Sequence, residues 1–420
     1  MKPNFTPFAW PMQWAERILQ ARRQYPGQFW LLFWGMLIST AGASMIWPFL
    51  MIYVSEKLDL PLTSIASLMT LNAAAGLIAS FVAGPIADRI GRRWVMVIGL
   101  AATGISYIAM IPAETLMHFA ILMTLRGLFN PLYRIGSDAM VADLIPDETR
   151  ADAYALTRLS KNVGISMGPA VGGLVASASY AIAFWVAAIG LVFFSLLMLF
   201  FAHETLPKGE EKVIEEIKPR RLGGYAEILA DRRFIVFALA FTLTQIGATI
   251  IWVLLGVYAK TNYGVLESQY GFIPMTNALM VVGLQVWVTK RSKNRPPLAM
   301  LAVGAGLYAL GVGSVAFGDG FWGFWASMVV LTLGELILVP TATTYVAALA
   351  PAQMRGRYMS IFALTWGIAS GVGPVVGGYL NDAVSPQAIW IGGGLIGMLG
   401  ALWYLLQHRH YQQHTAAVQG

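Results

Sequence analysis

The sequence predicts an all-α polytopic membrane protein built from two six-helix bundles, on three observations. Hydrophobic residues make up 57% of the 420 residues and charged residues only 12%, whereas a soluble domain carries about 25% charged residues. The apolar residues form runs that are long enough to cross the roughly 30 Å hydrocarbon core of a bilayer as helices. The second half of the chain also repeats the first. A soluble fold would leave far too much of this apolar surface in water.

The apolar runs predict twelve spans in two sets of six. Residues 204–232 are rich in charge and contain Pro and Gly, so we predict a cytoplasmic linker there, between bundles at 29–203 and 233–408. We also predict an N-terminal segment over 1–28, either an interfacial helix or a solvated cytoplasmic tail, and a cytoplasmic tail over 409–420. The predicted spans are 29–54, 62–83, 94–112, 115–144, 152–178, 180–203, 233–259, 268–289, 298–317, 321–349, 357–380 and 386–408.

The placement of basic residues predicts how the chain is oriented. Lys57 and Lys260 are the only Lys or Arg in the loops predicted on one face, whereas the other loops, the linker and both termini hold most of the 28. Cytoplasmic loops carry such an excess, so we expect both termini in the cytoplasm and the protein in the inner or plasma membrane of the cell. The formal net charge of +7 is therefore a topology signal, and we expect no nucleic-acid partner.

The internal repeat predicts how the two bundles are related. Trp47 aligns with Trp252 and Asn72 with Asn277 at one constant offset, at which GPAVGG in the first half also meets GPVVGG in the second. Because six spans is an even number, both halves cross the membrane in the same orientation. Such halves are related by a pseudo-two-fold axis along the membrane normal, with the substrate site at their interface. This architecture favours a transporter over a channel or a membrane enzyme.

Two motifs carry a resemblance to a known family. The charged segment GPIADRIGRR, between the second and third spans, resembles the signature loop of the major facilitator superfamily and matches it at Gly84, Asp88, Arg89, Gly91, Arg92 and Arg93. The segment NVGISMGPAVGG in the fifth span resembles the antiporter motif of drug/proton exporters and matches it at Gly164, Gly168, Pro169, Gly172 and Gly173. The chain thus looks like a twelve-helix drug:proton antiporter, which implies the major facilitator fold.

The resemblance implies that the signature loop is a conformational latch. In the family, the loop aspartate, here Asp88, lies at the N-terminus of helix 11, which begins near Gly356 and favours a carboxylate through its dipole. Gly84 would let helix 2 approach closely, and the arginines can pair with Asp143 at the end of helix 4. These contacts would close the cytoplasmic side. The alternative is that the basic residues only set the topology: Arg89, Arg92 and Arg93.

Small residues recur in the fifth and eleventh spans. Glycine permits close contact between helices in lipid, and proline bends a helix. We therefore expect a sliding seam between the halves, with plain tight packing as the alternative. The seam residues are Gly164, Gly168, Pro169, Gly172, Gly173, Gly373, Pro374, Gly377 and Gly378.

Ionisable residues within the spans are candidates for proton coupling, because each costs roughly 2.5–3.5 kcal/mol at mid-depth. Glu335 lies near the middle of span ten, where burial disfavours the charged form of a carboxylate, so it is either a proton carrier or a structural hydrogen-bond partner. Arg126 resembles the arginine of the family's helix-4 motif, which is assigned a part in proton transfer, although Asn130 replaces the usual glycine. Arg134 and Asp138 are four residues apart and can pair, which makes Asp138 a counter-ion or a second protonation site.

The resemblance also implies a substrate cavity. Helices 1, 4, 7 and 10 line it in this superfamily, which makes Trp47, Gln245, Trp252 and Tyr345 candidates for its wall. Aromatic walls suit hydrophobic and cationic compounds, so we expect a proton-coupled exporter of hydrophobic or amphipathic small molecules. The basic residues within the spans leave open a transporter of an anionic metabolite, and a membrane sensor that transports nothing is the third alternative.

Nothing in the sequence indicates chemistry beyond transport. The chain has no cysteine, which excludes thiolate metal sites, and no Gly-rich loop followed by Lys and Ser or Thr for binding ATP. We expect no metal, no cofactor and no enzymatic activity. We expect a monomer whose partners are a small-molecule substrate, protons and the lipid bilayer.

Overall fold

The structure, a computed structural model, describes residues 25–206, 223–351 and 354–419. The predicted N-terminal segment (1–28) lies almost entirely outside these residues. Most of the predicted linker and the last residue of the predicted tail also lie outside them.

The first half consists of six long helices joined by short loops. Several extend past the predicted spans, because helical hydrogen bonding continues into the polar flanks that a hydropathy pattern leaves out. The helices are α1 Gly27–Leu58, α2 Leu62–Ile90, α3 Arg92–Met110, α4 Leu116–Leu144, α5 Asp147–Ala178 and α6 Tyr180–Phe201.

The second half contains six further long helices. A short helix, Gly223–Ala230, precedes them, and another, Glu267–Tyr270, leads into the second of them. The last helix runs through most of the segment predicted as a tail. The helices are α7 Arg232–Tyr263, α8 Phe272–Ser292, α9 Pro297–Ser314, α10 Gly320–Leu349, α11 Arg355–Ala383 and α12 Ala388–Gln419.

Local sequence fixes several helix ends. At the start of α7, the Asp231 carboxylate accepts hydrogen bonds from the backbone N–H groups of Arg233 and Phe234, at 3.0 and 3.2 Å. The same helix ends at Gly264, whose φ of 64° is left-handed and suits glycine. Such capping supplies partners for backbone groups that the helix itself leaves unpaired.

Ten of the long helices in the described ranges are long and apolar enough to cross a membrane. The two others are α4 and α5. They carry five of the charged residues that the sequence places within spans, which lower their hydropathy: Arg126, Arg134, Asp138, Arg158 and Lys161. The structure is therefore consistent with twelve spans, two of them unusually polar.

The two halves use the same pattern of helix packing. In the first half, α1 packs on α5 and α6, α4 packs on α2 and α3, and α3 packs on α6. In the second half, α7 packs on α11 and α12, α10 packs on α8 and α9, and α9 packs on α12. Between the halves, α2 contacts α11, α5 contacts α8 and α1 contacts α7. Packing thus reproduces the sequence repeat.

Glycine brings α3 and α4 into backbone contact. A Cβ added at Gly99 would lie 2.9 Å from the carbonyl oxygen of Phe129 and 2.9 Å from the amide nitrogen of Tyr133. A larger side chain therefore has to push the two helices apart.

Gly99→Leu should destabilise the protein by about 1–3 kcal/mol, the usual cost of overpacking, and lower the thermal unfolding midpoint in detergent. Gly283→Leu is the matched control, because a Cβ at Gly283 has no atom within 4 Å. Equal unfolding midpoints for the two variants would contradict this account of helix packing.

Candidate functional site

The connections between helices define two ends of the bundle. We call one end the basic face; there α2 meets α3, α4 meets α5, and α10 meets α11. We call the other end the opposite face; there α1 meets α2, α7 meets α8, and α11 meets α12.

A cavity of about 1040 Å³ lies between the two halves. Its wall is formed by α1, α2 and α4 of the first half, by α7 and α11 of the second, and by Leu229 of the short helix that precedes α7. The lining residues come from the middle of these helices and from their parts nearer the basic face, such as Ser80, Phe81 and Ser360. A cavity of this volume accommodates a drug-sized organic molecule.

The structure corrects part of the predicted wall. Trp47 and Trp252, which the repeat aligns, both line the cavity. Gln245 does not: it is fully buried inside the second half, with no hydrogen-bond partner for its amide among the described residues. Tyr345 instead packs on Phe237 of α7, with ring centroids 5.1 Å apart. No residue of α10 is part of the wall.

The prediction missed the contributions of α2 and α11. Asn72 and Trp366 are examples, and both line the cavity. Asn72 could have been found, because it belongs to the internal repeat. Trp366 carries no comparable sequence signal, and its position follows only from how α11 packs.

Arg126 is buried, and no described residue is its counter-ion. Its side chain lies on α4 and is 6% exposed, and its guanidinium lies over the rings of Trp47 and Tyr107, at 4.7 and 5.7 Å from their centroids. The Nε atom has no hydrogen-bond partner, and no carboxylate among the described residues lies within ion-pair distance. Among the described residues, the charge is thus stabilised by two aromatic faces and by no carboxylate.

The predicted pairing of Arg134 with Asp138 is wrong. The Asp138 carboxylate instead lies 3.3 Å from Lys161 Nζ, because α5 brings this lysine against α4. Arg134 is exposed and lines the cavity. Asp138 is thus a counter-ion, but to a different cation from the one expected.

Glu335 is held by an amide rather than by a cation. Asn277 Nδ2 of α8 donates a hydrogen bond of 2.7 Å to Glu335 Oε2 and lies 2.9 Å from Thr332 Oγ1. The Glu335 side chain is half-buried and is not part of the cavity wall. Asn72, the repeat counterpart of Asn277, donates to the Met123 carbonyl oxygen of α4 at 2.9 Å. The same position in each half thus links two neighbouring helices.

At the basic face, the signature loop makes its contacts within the first half. Arg92 Nη1 lies 2.5 Å from Asp88 Oδ1, and Arg92 Nε lies 3.3 Å from Asp143 Oδ2. Asp88 is 59% exposed, and its polar contacts among the described residues are with Arg92, not with the start of α11. Arg89 is exposed. A Cβ at Gly84 would meet no atom within 4 Å, so in this structure Gly84 does not provide the close approach that we expected.

Glu204 completes this loop and was not predicted. Its carboxylate accepts hydrogen bonds from the backbone N–H groups of Arg92 and Arg93, at 2.8 and 3.2 Å, and so caps α3. Gly91 has a φ of 103°, and a Cβ there would lie 2.2 Å from the Glu204 carboxylate. Only glycine meets both requirements at position 91.

At the opposite face, charged groups join the two halves. The Asp382 carboxylate of α11 accepts hydrogen bonds from the backbone N–H groups of Leu62 and Thr63, at 3.1 and 2.8 Å, and from the Thr63 hydroxyl at 2.7 Å. An acidic group from the second half thereby caps the N-terminus of α2, where the helix dipole favours negative charge. Neither Asp382 nor this contact was predicted.

A second cluster joins the halves at the same face. Lys260 of α7 forms ion pairs with Glu56 of α1 and with Glu267, the former at 2.5 Å. The Tyr180 hydroxyl of α6 donates to the Glu267 carboxylate at 2.5 Å. Two residues of each half thus take part. We call these groups and the Asp382 cap together the opposite-face clasp.

The residues of the predicted glycine seam make two kinds of contact in the structure, some within a half and some between the halves. Gly164, Gly168 and Gly172 face α1 within their own half, and Gly373 and Gly377 face α7 within theirs.

Other glycines lie where the two halves meet. A Cβ at Gly173 would lie 2.3 Å from the Glu267 carbonyl oxygen, and one at Gly271 would lie 2.3 Å from that of Pro169. A Cβ at Gly378 would likewise lie close to the backbone of Thr63 in the first half. Pro374 is buried in α11. Most of these glycines therefore serve packing within a half.

Comparison with known proteins agrees with this architecture. The sequence profile of the Major Facilitator Superfamily matches residues 32–335 and 237–420. The chain belongs to the major facilitator superfamily. This member of the superfamily is 27% identical over 411 residues to a Na(+), Li(+), K(+)/H(+) antiporter of Planococcus maritimus, which covers 89% of this chain and 94% of the relative.

Two further likenesses cover nearly the whole chain. The multidrug resistance protein MdtH of Escherichia coli is 23% identical over 412 residues, covering 96% of this chain and 98% of MdtH. The solved structure of a bacterial homolog of the human lysosomal transporter Spinster has a TM-score of 0.75 at 12% identity, over 92% of this chain and 97% of that chain. This major facilitator protein is therefore a multi-pass membrane transporter with the fold that its sequence predicts.

The opposite-face clasp should control how firmly α2 and α11 are held together. Thr70 and Gly371 face each other in this contact, where the Thr70 hydroxyl donates to the Gly371 carbonyl oxygen at 2.6 Å. Because the chain has no cysteine, Thr70→Cys with Gly371→Cys should form a disulfide under mild oxidation. Adding Asp382→Ala should slow cross-linking at least threefold, measured by quenched time points on non-reducing gels.

Asp319→Ala is the control for this experiment. Asp319 precedes α10 at the same face, and its side chain makes no capping hydrogen bond. Cross-linking that is equally fast in the Asp382→Ala and Asp319→Ala backgrounds would show that the cap on α2 does not hold the halves together.

Proposed function

We propose that the protein is a proton-coupled secondary transporter that exports hydrophobic or amphipathic small molecules by alternating access. The observation that carries the proposal is the cavity between two equivalent halves, which are joined at one face and separated toward the other. A cavity bounded in this way offers a substrate access from one side of the membrane at a time, as alternating access requires.

The orientation of the cavity follows from charge. The basic face carries the excess of Lys and Arg, so we assign it to the cytoplasm of the inner or plasma membrane. With this assignment, the cavity of about 1040 Å³ faces inward and is ready to take up a compound from the cytoplasm or the inner leaflet. Its apolar walls, which include Trp47, Trp252 and Trp366, suit hydrophobic and amphipathic compounds.

Opening outward requires the opposite-face clasp to break and a closing contact to form at the basic face. Asp88 is the candidate for that contact. It is exposed and is oriented by Arg92, so the N-terminus of α11 can reach it when the halves tilt together. There the helix dipole would favour its negative charge. The two faces would then be closed by the same interaction, a carboxylate from one half at a helix N-terminus of the other.

Glu335 is our candidate for the proton carrier. It lies in the middle of α10 and accepts a hydrogen bond from Asn277. It has no ion-pair partner among the described residues. No cation among the described residues therefore holds it in the ionised form. Asp138, in contrast, is paired with Lys161 and is 49% exposed, which suits a fixed counter-ion.

Glu335→Gln should abolish coupling without preventing binding, because glutamine keeps the side-chain shape but cannot exchange a proton. We expect at least a tenfold loss of efflux driven by an imposed pH gradient in proteoliposomes, with substrate exchange at equal pH retained. Retained exchange also shows that the variant folds.

Glu148→Gln is the matched control, since Glu148 is exposed in the first turn of α5 at the basic face. Proton-driven efflux at the wild-type rate in Glu335→Gln would remove Glu335 from the mechanism.

A further inference from the structure

One face of α4 carries an unusual set of polar residues. Arg126, Asn130 and Arg134 are spaced four residues apart, which places them on the same side of a helix. Asn130 and Arg134 line the cavity, as does Trp47, over which the Arg126 guanidinium lies. The face extends over about 12 Å, from the middle of α4 toward the basic face.

Both arginines on this face lack a negative partner within the part of the chain that the structure describes. Arg126 is 6% exposed, and its Nε atom is without a hydrogen-bond acceptor. Arg134 has a carboxylate one turn away, but that carboxylate, Asp138, is paired with Lys161. Leaving a buried charge without its partner is strongly unfavourable. Arg126 is such a charge, and the exposed Arg134 lines the neighbouring cavity. Together the two arginines point to an anion that is supplied from outside the chain.

The corresponding face of α10 has no such character. In the repeat, Arg126 aligns with Leu331 and Arg134 with Val339, and Asn130 aligns with Glu335. The positive charge is therefore specific to the first half and is not a requirement of the duplicated fold. Among the described residues, Arg134 is the only charged one that lines the cavity. Large apolar side chains of the second half line the same cavity, including Trp252, Leu364 and Trp366.

We propose that Arg126, Asn130 and Arg134 form an anion subsite and that the substrate is an amphipathic organic anion. Its carboxylate or sulfonate binds the arginines, which suit planar oxyanions because they donate in a fixed fork. Its apolar, preferably aromatic, body packs against the tryptophans of the second half. Arg134, nearer the basic face, meets the anion first, and Arg126 holds it at mid-depth. This inference deepens the proposed function and rests on it.

The test compares two ligands that differ only in charge. 1-Naphthylacetate and 1-naphthylacetamide share the same aromatic body, and only the first is an anion at pH 7. Radiolabelled probes are bound to the purified full-length chain in phosphatidylcholine nanodiscs, with no pH gradient. We expect the acetate to bind at least tenfold more tightly than the amide in the wild type.

The arginine variants then assign the preference to the subsite. Arg134→Gln should reduce it to threefold or less, and Arg126→Gln should do the same. Because Arg134 is exposed, its variant keeps the test valid if Arg126→Gln fails to fold. Arg158→Gln, a change to an exposed arginine of α5 outside the cavity wall, should keep the full preference.

Equal affinity of the wild type for the two probes would overturn the inference, as would a preference that survives in Arg134→Gln. The outcome is independent of coupling, because binding is measured without a gradient. If Glu335→Gln retained proton-driven efflux, the proposed mechanism would fail while a charge preference in binding could still stand.

Discussion

The contact between the two halves at the opposite face is the constraint on which the rest of the structure depends. Asp382 of α11 caps α2, and Lys260 of α7 bridges to Glu56 of α1. Both interactions join a residue of one half to a residue of the other, close to the helix ends. Because the halves meet there, the space between them widens toward the basic face and forms the cavity. Without these contacts, no other ion pair or carboxylate cap among the described residues would hold the two halves together at that face.

The two halves share their packing but differ in their charges. Each half pairs its helices in the same way, and Asn72 and Asn277 occupy equivalent positions. Yet the first half buries a cation, Arg126, and the second half holds a carboxylate, Glu335, one turn from the corresponding position. Because their helix packing is the same, the halves can tilt as similar bodies. Because their charged residues differ, each half can have a different function. In our proposals, the first half binds the anionic group of the substrate and the second half carries the proton.

The fold could be predicted from the sequence because the lipid bilayer restricts which backbone structures can cross it. In hydrocarbon, every backbone polar group needs an internal partner, so long apolar runs predict helices, and the repeat predicts how they are grouped. The proximity of Arg92 to Asp143 was also predictable, since both residues lie at adjoining helix ends on one face. What could not be predicted depends on helix rotation and tilt. The partner of Asp138 was missed for this reason, and so were the burial of Gln245 and the cap that Asp382 places on α2.

The glycines illustrate the same limit. A motif of small residues indicates close helix contact but does not say which neighbour is contacted, and Gly164 and Gly173 of one motif face different halves. Glu204 was missed because its role depends on the positive φ of Gly91, which brings the backbone of α3 to its carboxylate.

The central claim is that the two halves tilt as bodies, so that opening one face closes the other. Pulsed electron–electron double resonance, which measures the distance between two spin labels, tests this claim directly. The chain has no native cysteine that would also be labelled. One pair, at Leu60 and Val384, reports on the opposite face, and the other, at Phe81 and Ser360, on the basic face; all four side chains are exposed. Breaking the clasp with Asp382→Ala and Lys260→Ala should lengthen the first distance and shorten the second in the same population. A longer first distance with an unchanged second distance would contradict the account.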